Sequence, residues 1–572
     1  MTASRTLEGD PQLEPSGSHH AASLWTRVRD HFDATWVRFG EGTGFLARMR
    51  KPLGEVQPYV DGETPVTRLL ATPALFGFIG AAAITWGASL PSSPFTWKSC
   101  SGIVPGSVTV CRPWYFGIPA PPIVTGAPMP ADKNLFIGLV AVYGGMVLML
   151  QAWIALIRIA RRYRGLPIKS FVAVFTAWTL PLLVVAPLFS RDAYSYAAQG
   201  EMMSRGISPY LFGPGMLGVN AFSGLVDKLW INVTSPYGPV FLWLAGVNAT
   251  VVNHNELLAV VGFRLMAVVG VIMIAVYVPK LARSYGRDPS LAFVLAVLNP
   301  LILLHLIAGA HNDALMLGFL VAGLWYARSG HPVVGVLLCA IGAMIKVPAL
   351  IGVVYIGWDW LGEEATPRAR LKPTAVAAAL ALAVMAAVSQ MVGLGWGWVT
   401  ALGNTAAARS WIDPSNTVGD WSAHLLMALG LGDHSHFLLI AARDLGLLLA
   451  AAIALRLCWR ATPSTTLRAM GLTFLAVVFL GPTVQPWYLA WPMVILAVVA
   501  ERRLRTLVVV LSCLSCFFGL PGARSLVIQF AEADPILIVA ASLVLLLLLI
   551  NPLVMRVRRA LRTRDMGGVP VA

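Results

Sequence analysis

The sequence predicts an all-α, polytopic transmembrane protein, and three observations carry that prediction. Of its 572 residues, 57% are hydrophobic and only 12% are charged, with a mean hydropathy of +0.72, which is too apolar for an ordinary soluble domain. The apolar residues fall into about 14 runs approaching the ~20 residues that an upright helix needs to cross a bilayer. Lys and Arg gather in short clusters between those runs, where they set orientation. The formal net charge of +15 therefore does not signal nucleic acid, whose binding needs a solvated basic face that this chain barely has.

Residues 1–65 are polar and charged, without the pattern of a signal peptide, and read as a cytoplasmic, largely disordered segment. Residues 66–168 hold two spans, 69–90 and 134–157, joined by a loop with Cys100 and Cys111. That pair is expected to form a disulfide if the loop faces an oxidising compartment. Cys339, Cys458, Cys513 and Cys516 lie in or beside apolar runs as core residues, and no Cys/His cluster has zinc-ligand spacing. The basic stretch RIARRYRGLPIK then marks the cytoplasmic side.

A module over 169–361 follows, whose first span, 169–189, crosses outward and delivers Asp192 to the extracytoplasmic surface. The run 240–253 decides everything downstream. Counted as a crossing, it puts Lys280, Arg283, Arg287, Arg368, Arg370, Lys372 and the tail RVRRALRTR outside; read as a juxtamembrane helix, it puts them all inside. The positive-inside rule selects the second reading. The spans are then 257–279, 289–308, 313–328, 332–346 and 347–361, followed in a C-terminal region, 362–555, by 374–393, 437–457, 467–483, 487–500, 506–520 and 536–554. Polar segments 91–133, 190–256, 394–436 and 521–535 come out extracytoplasmic, and the basic tail 556–572 cytoplasmic. Both termini are then cytoplasmic, in a multi-pass plasma-membrane protein. There is no internal repeat, which counts against the duplicated architecture of many secondary transporters, the alternative from another functional class.

Charges within membrane spans are costly and usually functional. Arg264, His305, Lys346, Arg443 and Asp444 all fall near the outer ends of their runs, and His311-Asn312-Asp313 occupies an outer turn. Asp192 suits a general base, or alternatively an acid capping the helix that begins beside Ser190; Asp313 and Glu201 are the other candidate bases. The segment reads Asp192-Ala193-Tyr194, so a divalent-metal site of the DxD kind is not supported and no cofactor is expected. A leaving phosphate then has to be met by cations, for which Arg191, Arg264, His311 and Lys346 are candidates, each also readable as a snorkelling or paired charge. Tyr194, Tyr196, Tyr210, Tyr237, Trp487 and Tyr488 are either interface belt or platforms for sugar rings; Gln199, Asn312, Asp313 and Gln485 supply groups for hydroxyls.

RDAYSYAAQGEMMSRGISPY, SPYGPVFLW and LNPLILLHLIAGAHNDALM resemble the GT-C glycosyltransferases that use polyprenyl-phosphate sugars, and more closely the actinobacterial polyprenyl-phosphomannose-dependent α-(1→6)-mannosyltransferases, type B before type A. The resemblance covers about residues 65–555. It implies a GT-C fold with an extracytoplasmic catalytic loop, a β-linked polyprenyl-phosphate mannose as donor and a mannosylated phosphatidylinositol or growing lipomannan as acceptor. It also implies an inverting transfer in which Asp192 is the catalytic acid of the loop. A branching mannosyltransferase or an arabinosyltransferase is the alternative within the enzyme class.

Overall fold

A computed structural model describes residues 65–90, 131–407 and 413–518, with the short pieces 57–59, 95–96, 99–101, 109–112, 114–115, 118–119 and 123–125. The expectations for residues 1–56, for the last span 536–554 and for the basic tail lie outside the described residues. What is described is helical throughout, apart from short strand pairs outside the spans.

Helix α1 (Val66–Ser89) lies along α2 (Ala131–Arg162). Two glycines let the backbones meet, since a Cβ on Gly80 would lie 2.6 Å from the Gly145 carbonyl oxygen; such small-residue contacts replace the hydrophobic drive that lipid removes. Helix α3 (Ile168–Leu183) joins them through Trp178, whose indole N–H donates to the Ala74 carbonyl at 2.9 Å. Between α1 and α2, strands β1 (Ser99–Ser101) and β2 (Thr109–Arg112) pair antiparallel with Cys100 opposite Cys111. The side chains there lie outside the described residues.

After α3 come α4 (Asp192–Ser204), α5 (Pro239–Val251) and α6 (Glu256–Ser284). The 13 residues of α5 make about 20 Å, short of the ~30 Å hydrocarbon core, a length that suits a helix lying at the membrane surface. Among the described residues, α1, α2, α6, α11 (Pro367–Met391) and α14 (Ser435–Arg460) are long and apolar enough to cross. The shorter apolar helices include α9 (Pro332–Ala343), α10 (Leu350–Asp359), α15 (Thr466–Leu480) and α16 (Ala490–Val498).

One expectation needs correction. The run 289–308, read as a single span, is interrupted within itself: α7 (Pro289–Ala296) ends, residues 297–299 leave the helix, and a π-helical turn, Ile302–Ala308, follows, while the 114° bend to α8 (Asp313–Arg328) falls at the outer turn expected between the two spans. Every residue of that turn is buried, so its apolar composition hides a change of backbone geometry. Ala310 completes the bend with φ +55°, a left-handed conformation that non-glycine residues rarely adopt. Among the described residues, this is the one pair of helices bent so sharply across a short break, without the repeated pair that transporters show.

Candidate active site

The site forms where two strained turns meet. Phe189 takes φ +67° at the exit of α3, and its N–H donates to the Phe95 carbonyl, while the Leu188 N–H donates to Ala308 of the π turn at 3.1 Å. Arg264 reinforces the junction, its guanidinium donating to Leu183 O at 2.8 Å and Ala308 O at 3.0 Å. These bonds set the start of α4 against the His311–Asp313 turn.

At the start of α4, Ser190 Oγ accepts the Asp192 N–H at 3.0 Å, and Arg191 occupies the capping position without a side-chain cap. The capping role open to Asp192 is therefore taken by Ser190, and the Asp192 carboxylate is left 18% exposed with Oδ2 3.4 Å from Nδ1 of the fully buried His311. Burial would raise the Asp192 pKa, but the neighbouring His311 ring, the charge of Lys346 and the Ser190 hydroxyl together hold it below the ordinary carboxylate range. It stands ionised at neutral pH, in the first turn of a helix where negative charge is favoured.

His311 is held from its other face by Trp487, stacked at 4.1 Å between centroids and 21° between planes. Asn312 Oδ1 accepts from Tyr196 at 3.4 Å, and Tyr196 packs edge-on against Tyr237, Phe241 and Phe263. Asp313 is fully buried and accepts from Lys346 Nζ at 2.8 and 2.9 Å and from the Trp491 indole at 2.6 Å. Lys346 is in turn ringed by aromatic faces, 4.6 Å from the Tyr488 centroid and 5.9 Å from that of Tyr237. Three consecutive residues thus face three different partners.

The other sequence candidates divide by exposure. Arg191, Asp192, Tyr237, Lys346, Gln485 and Tyr488 are partly exposed. Tyr194, Tyr196, Gln199, Tyr210 and Arg264 are buried: Gln199 accepts from Ser235 at 3.0 Å, and Tyr210 donates to the Tyr237 carbonyl at 2.7 Å. They shape the wall rather than line it. Arg191 donates to the Val226 carbonyl at 3.3 Å. Glu201, one of the alternative bases, sits at the far end of α4 between Arg205 and His254, each at 2.7 Å, and does not reach the site.

Sequence reading missed two contributors. Trp491, which donates to Asp313, passed as one more aromatic residue in an apolar run. Asp413 is fully buried and accepts from the Val484 N–H and from Asn416, both at 2.6 Å; Asn416 in turn accepts from Arg443 at 2.7 Å. This cluster ties α13 (Pro414–Ala428) to the turn that carries Trp487. No local signal marks it, because its partners are 71 residues apart. Among the described residues, no three His, Cys, Asp or Glu side chains are grouped to hold a metal ion.

Residues 102–362 match the family model described as "Alpha-(1->6)-mannopyranosyltransferase, N-terminal domain", and residues 415–551 match the "MptB C-terminal domain". Among curated relatives, the probable alpha-(1->6)-mannopyranosyltransferase of Mycolicibacterium smegmatis is 33% identical over 394 residues, 63% of this chain and 70% of the relative. Alpha-(1->6)-mannopyranosyltransferase Rv1459c of Mycobacterium tuberculosis is 30% identical over 471 residues, 71% of this chain and 78% of the relative. Alpha-(1->6)-mannopyranosyltransferase B of Corynebacterium glutamicum is 33% identical over 396 residues, 64% and 65% of the two chains. No solved structure matches.

Proposed function

The chain belongs to the alpha-(1->6)-mannopyranosyltransferase family of glycosyltransferases, and from that premise we propose that it transfers mannose from a β-linked polyprenyl-phosphate mannose to the 6-hydroxyl of a mannoside acceptor, with inversion. The product is the α-(1→6)-mannan backbone of lipomannan-type glycolipids, made at the extracytoplasmic face of the plasma membrane.

The observation that carries the reading is the ionised, partly exposed Asp192 beside His311, on a short helix outside the spans. Asp192 accepts the proton of the acceptor 6-hydroxyl as that oxygen attacks the anomeric carbon. The bond from that carbon to the phosphate oxygen breaks on the opposite face, and the polyprenyl phosphate leaves with the electron pair. His311, fixed by Trp487, abuts the Asp192 carboxylate at 3.4 Å and limits its orientation. A carboxylate held at low pKa is a weak resting base, so it works by taking the proton in the transition state, when the hydroxyl acidifies as its bond to carbon forms. Arg191 and Lys346 are the partly exposed cations nearest to meet the leaving phosphate, and no metal is called on. Tyr237 and Tyr488, partly exposed around Lys346, offer faces to the sugars. Mannosylated phosphatidylinositol or growing lipomannan is the acceptor this reading requires.

General-base help is worth about 10²–10⁴-fold, so Asp192→Asn should lower kcat by that factor. The assay is transfer of labelled mannose from polyprenyl-phosphate mannose to a short α-(1→6)-mannoside in membranes, at matched expression. Activity retained in Asp192→Asn would reject this base; wild-type membranes that transfer no mannose would reject the donor or the acceptor.

A further inference from the structure

A cavity of about 290 Å³ lies away from Asp192. It lies at the opposite ends of the same helices: α6 starts beside the Glu201–His254 pair and runs 29 residues, about 43 Å, to end at Ser284, next to the cavity residue Tyr285. The cavity is enclosed by the ends of α8 and α10 and the start of α15, with Leu324, Ile356 and Leu467 as apolar wall and Tyr285 and Trp360 as aromatic wall.

Its polar groups are unequally used. Tyr355 bonds Thr473 at 2.8 Å, and Thr466 donates to the Thr462 carbonyl at 2.9 Å. Arg370, the cation beside Asp359, gives its guanidinium to the carbonyls of Ala365, Trp358 and Gly362 at 3.1, 2.9 and 2.6 Å. Asp359 is thereby left with Oδ1 buried and without a hydrogen-bond partner among the described residues. Arg328, also lining the cavity, is exposed; its guanidinium stacks 4.9 Å over Tyr285 and, among the described residues, forms no ion pair with Asp359. A cation at the mouth and an unsatisfied carboxylate within a partly apolar chamber form a pattern with a direction: its complement carries an N–H cation at its tip and an anion behind it. Leaving a carboxylate oxygen buried without a donor is costly.

We propose that this cavity is a binding site for a phosphoethanolamine lipid headgroup, its primary ammonium donating to Asp359 and its phosphate meeting Arg328, with the acyl chains returning to the bilayer along the apolar wall. Helix ends with aromatic rings are where headgroups lie, and a pocket between helices whose charges complement a headgroup can receive it. Phosphatidylcholine matches the charges but has no N–H to give Asp359, and phosphatidylglycerol has no cation at all. The site is independent of mannosyl transfer.

The test is native mass spectrometry of the full-length protein, purified and then exposed to equal amounts of phosphatidylethanolamine, phosphatidylcholine and phosphatidylglycerol. Wild type should retain phosphatidylethanolamine about tenfold over the other two, the size of one charge-assisted hydrogen bond. Asp359→Asn should abolish that preference, and Arg328→Gln, at the exposed mouth where folding is not at risk, should weaken retention. Equal retention of the three lipids by wild type, or a preference that survives both substitutions, overturns the proposal. Displacement of the lipid by free O-phosphoethanolamine at millimolar concentration overturns the lipid as source, leaving a soluble amine phosphate; failure to displace it supports the lipid.

Discussion

Replacing Asp313 by Asn should destabilise the protein more than removing both members of its ion pair. Asp313 is fully buried, and Lys346, only 12% exposed, approaches its two oxygens at 2.8 and 2.9 Å. Two unit charges at that distance attract by about 6 kcal/mol at an effective dielectric near 20. Desolvation offsets part of this, yet breaking a buried pair from one side typically costs about 3–5 kcal/mol because the remaining ion is stranded. Asn keeps the volume and can still accept from Trp491, so the loss isolates the charge. At roughly 0.8 °C per kcal/mol for 572 residues, from an unfolding entropy of about 2.1 cal/mol/K per residue, the Tm in detergent should fall by about 2.5–4 °C. Asp313→Asn with Lys346→Met removes both charges and should recover at least half of that loss. Mannosyl transfer should fall in both variants, since Lys346 is displaced in one and absent in the other. Additive Tm losses, or an Asp313→Asn protein as stable as wild type, would refute the buried-pair argument.

Three further outcomes follow from the geometry. Because the Asp192 carboxyl is held below its ordinary value of 3.8, its share of stability is present above that value and lost as pH falls through the lower native one. The acidic limb of kcat/KM should therefore lie below the ordinary carboxylate range, and His311→Gln should move it to higher pH in a pH–rate profile; an unmoved limb would disconnect the two residues. Glu201→Gln, which loosens Arg205 and His254 from a buried carboxylate at the far end of α4, should lower Tm while leaving kcat within about twofold of wild type, because the cluster does not reach Asp192; a hundredfold loss of turnover would return Glu201 to the list of bases. Gly238 faces the Met344 carbonyl so closely that a Cβ has no room, so Gly238→Ala should push the start of α5 away from Lys346 and cut activity at least tenfold, read as kcat in the membrane assay; near-normal turnover would show that this approach is dispensable.

The spans and the polar segment bearing Asp192 are visible in sequence because hydropathy and charge are local properties, each written within some 20 residues. The base candidate also stands out locally, as an acid at the end of a long apolar run. What surrounds it does not. The contact that sets Asp313 joins residues 178 apart, and the Asp413 cluster reaches across 71; periodicity within one segment carries no information on such pairs. The break after α7 escaped for the opposite reason. Ile302–Ala308 is wholly buried, and a run that is apolar on all sides has no face whose phase would reveal a wider turn. Burial also reassigned Tyr194, Tyr196 and Arg264, whose residue types suit a substrate but whose positions place them behind the surface.

The π turn has one more consequence. Past the left-handed Ala310 the chain turns into α8, and His311, Asn312 and Asp313 diverge like spokes, one to Asp192, one to Tyr196 and one to Lys346. Deleting a single residue between Ile302 and Ala310 would turn all three at once, bringing Asn312 to the base and Ala314 to the lysine, while adding one would bring Ala310 to the base and Asn312 to the lysine. The membrane would tolerate the change, since the segment stays apolar, but the chemistry would not. Chain length here acts as an indexing pin, and through it the spacing of a greasy segment governs which polar groups meet.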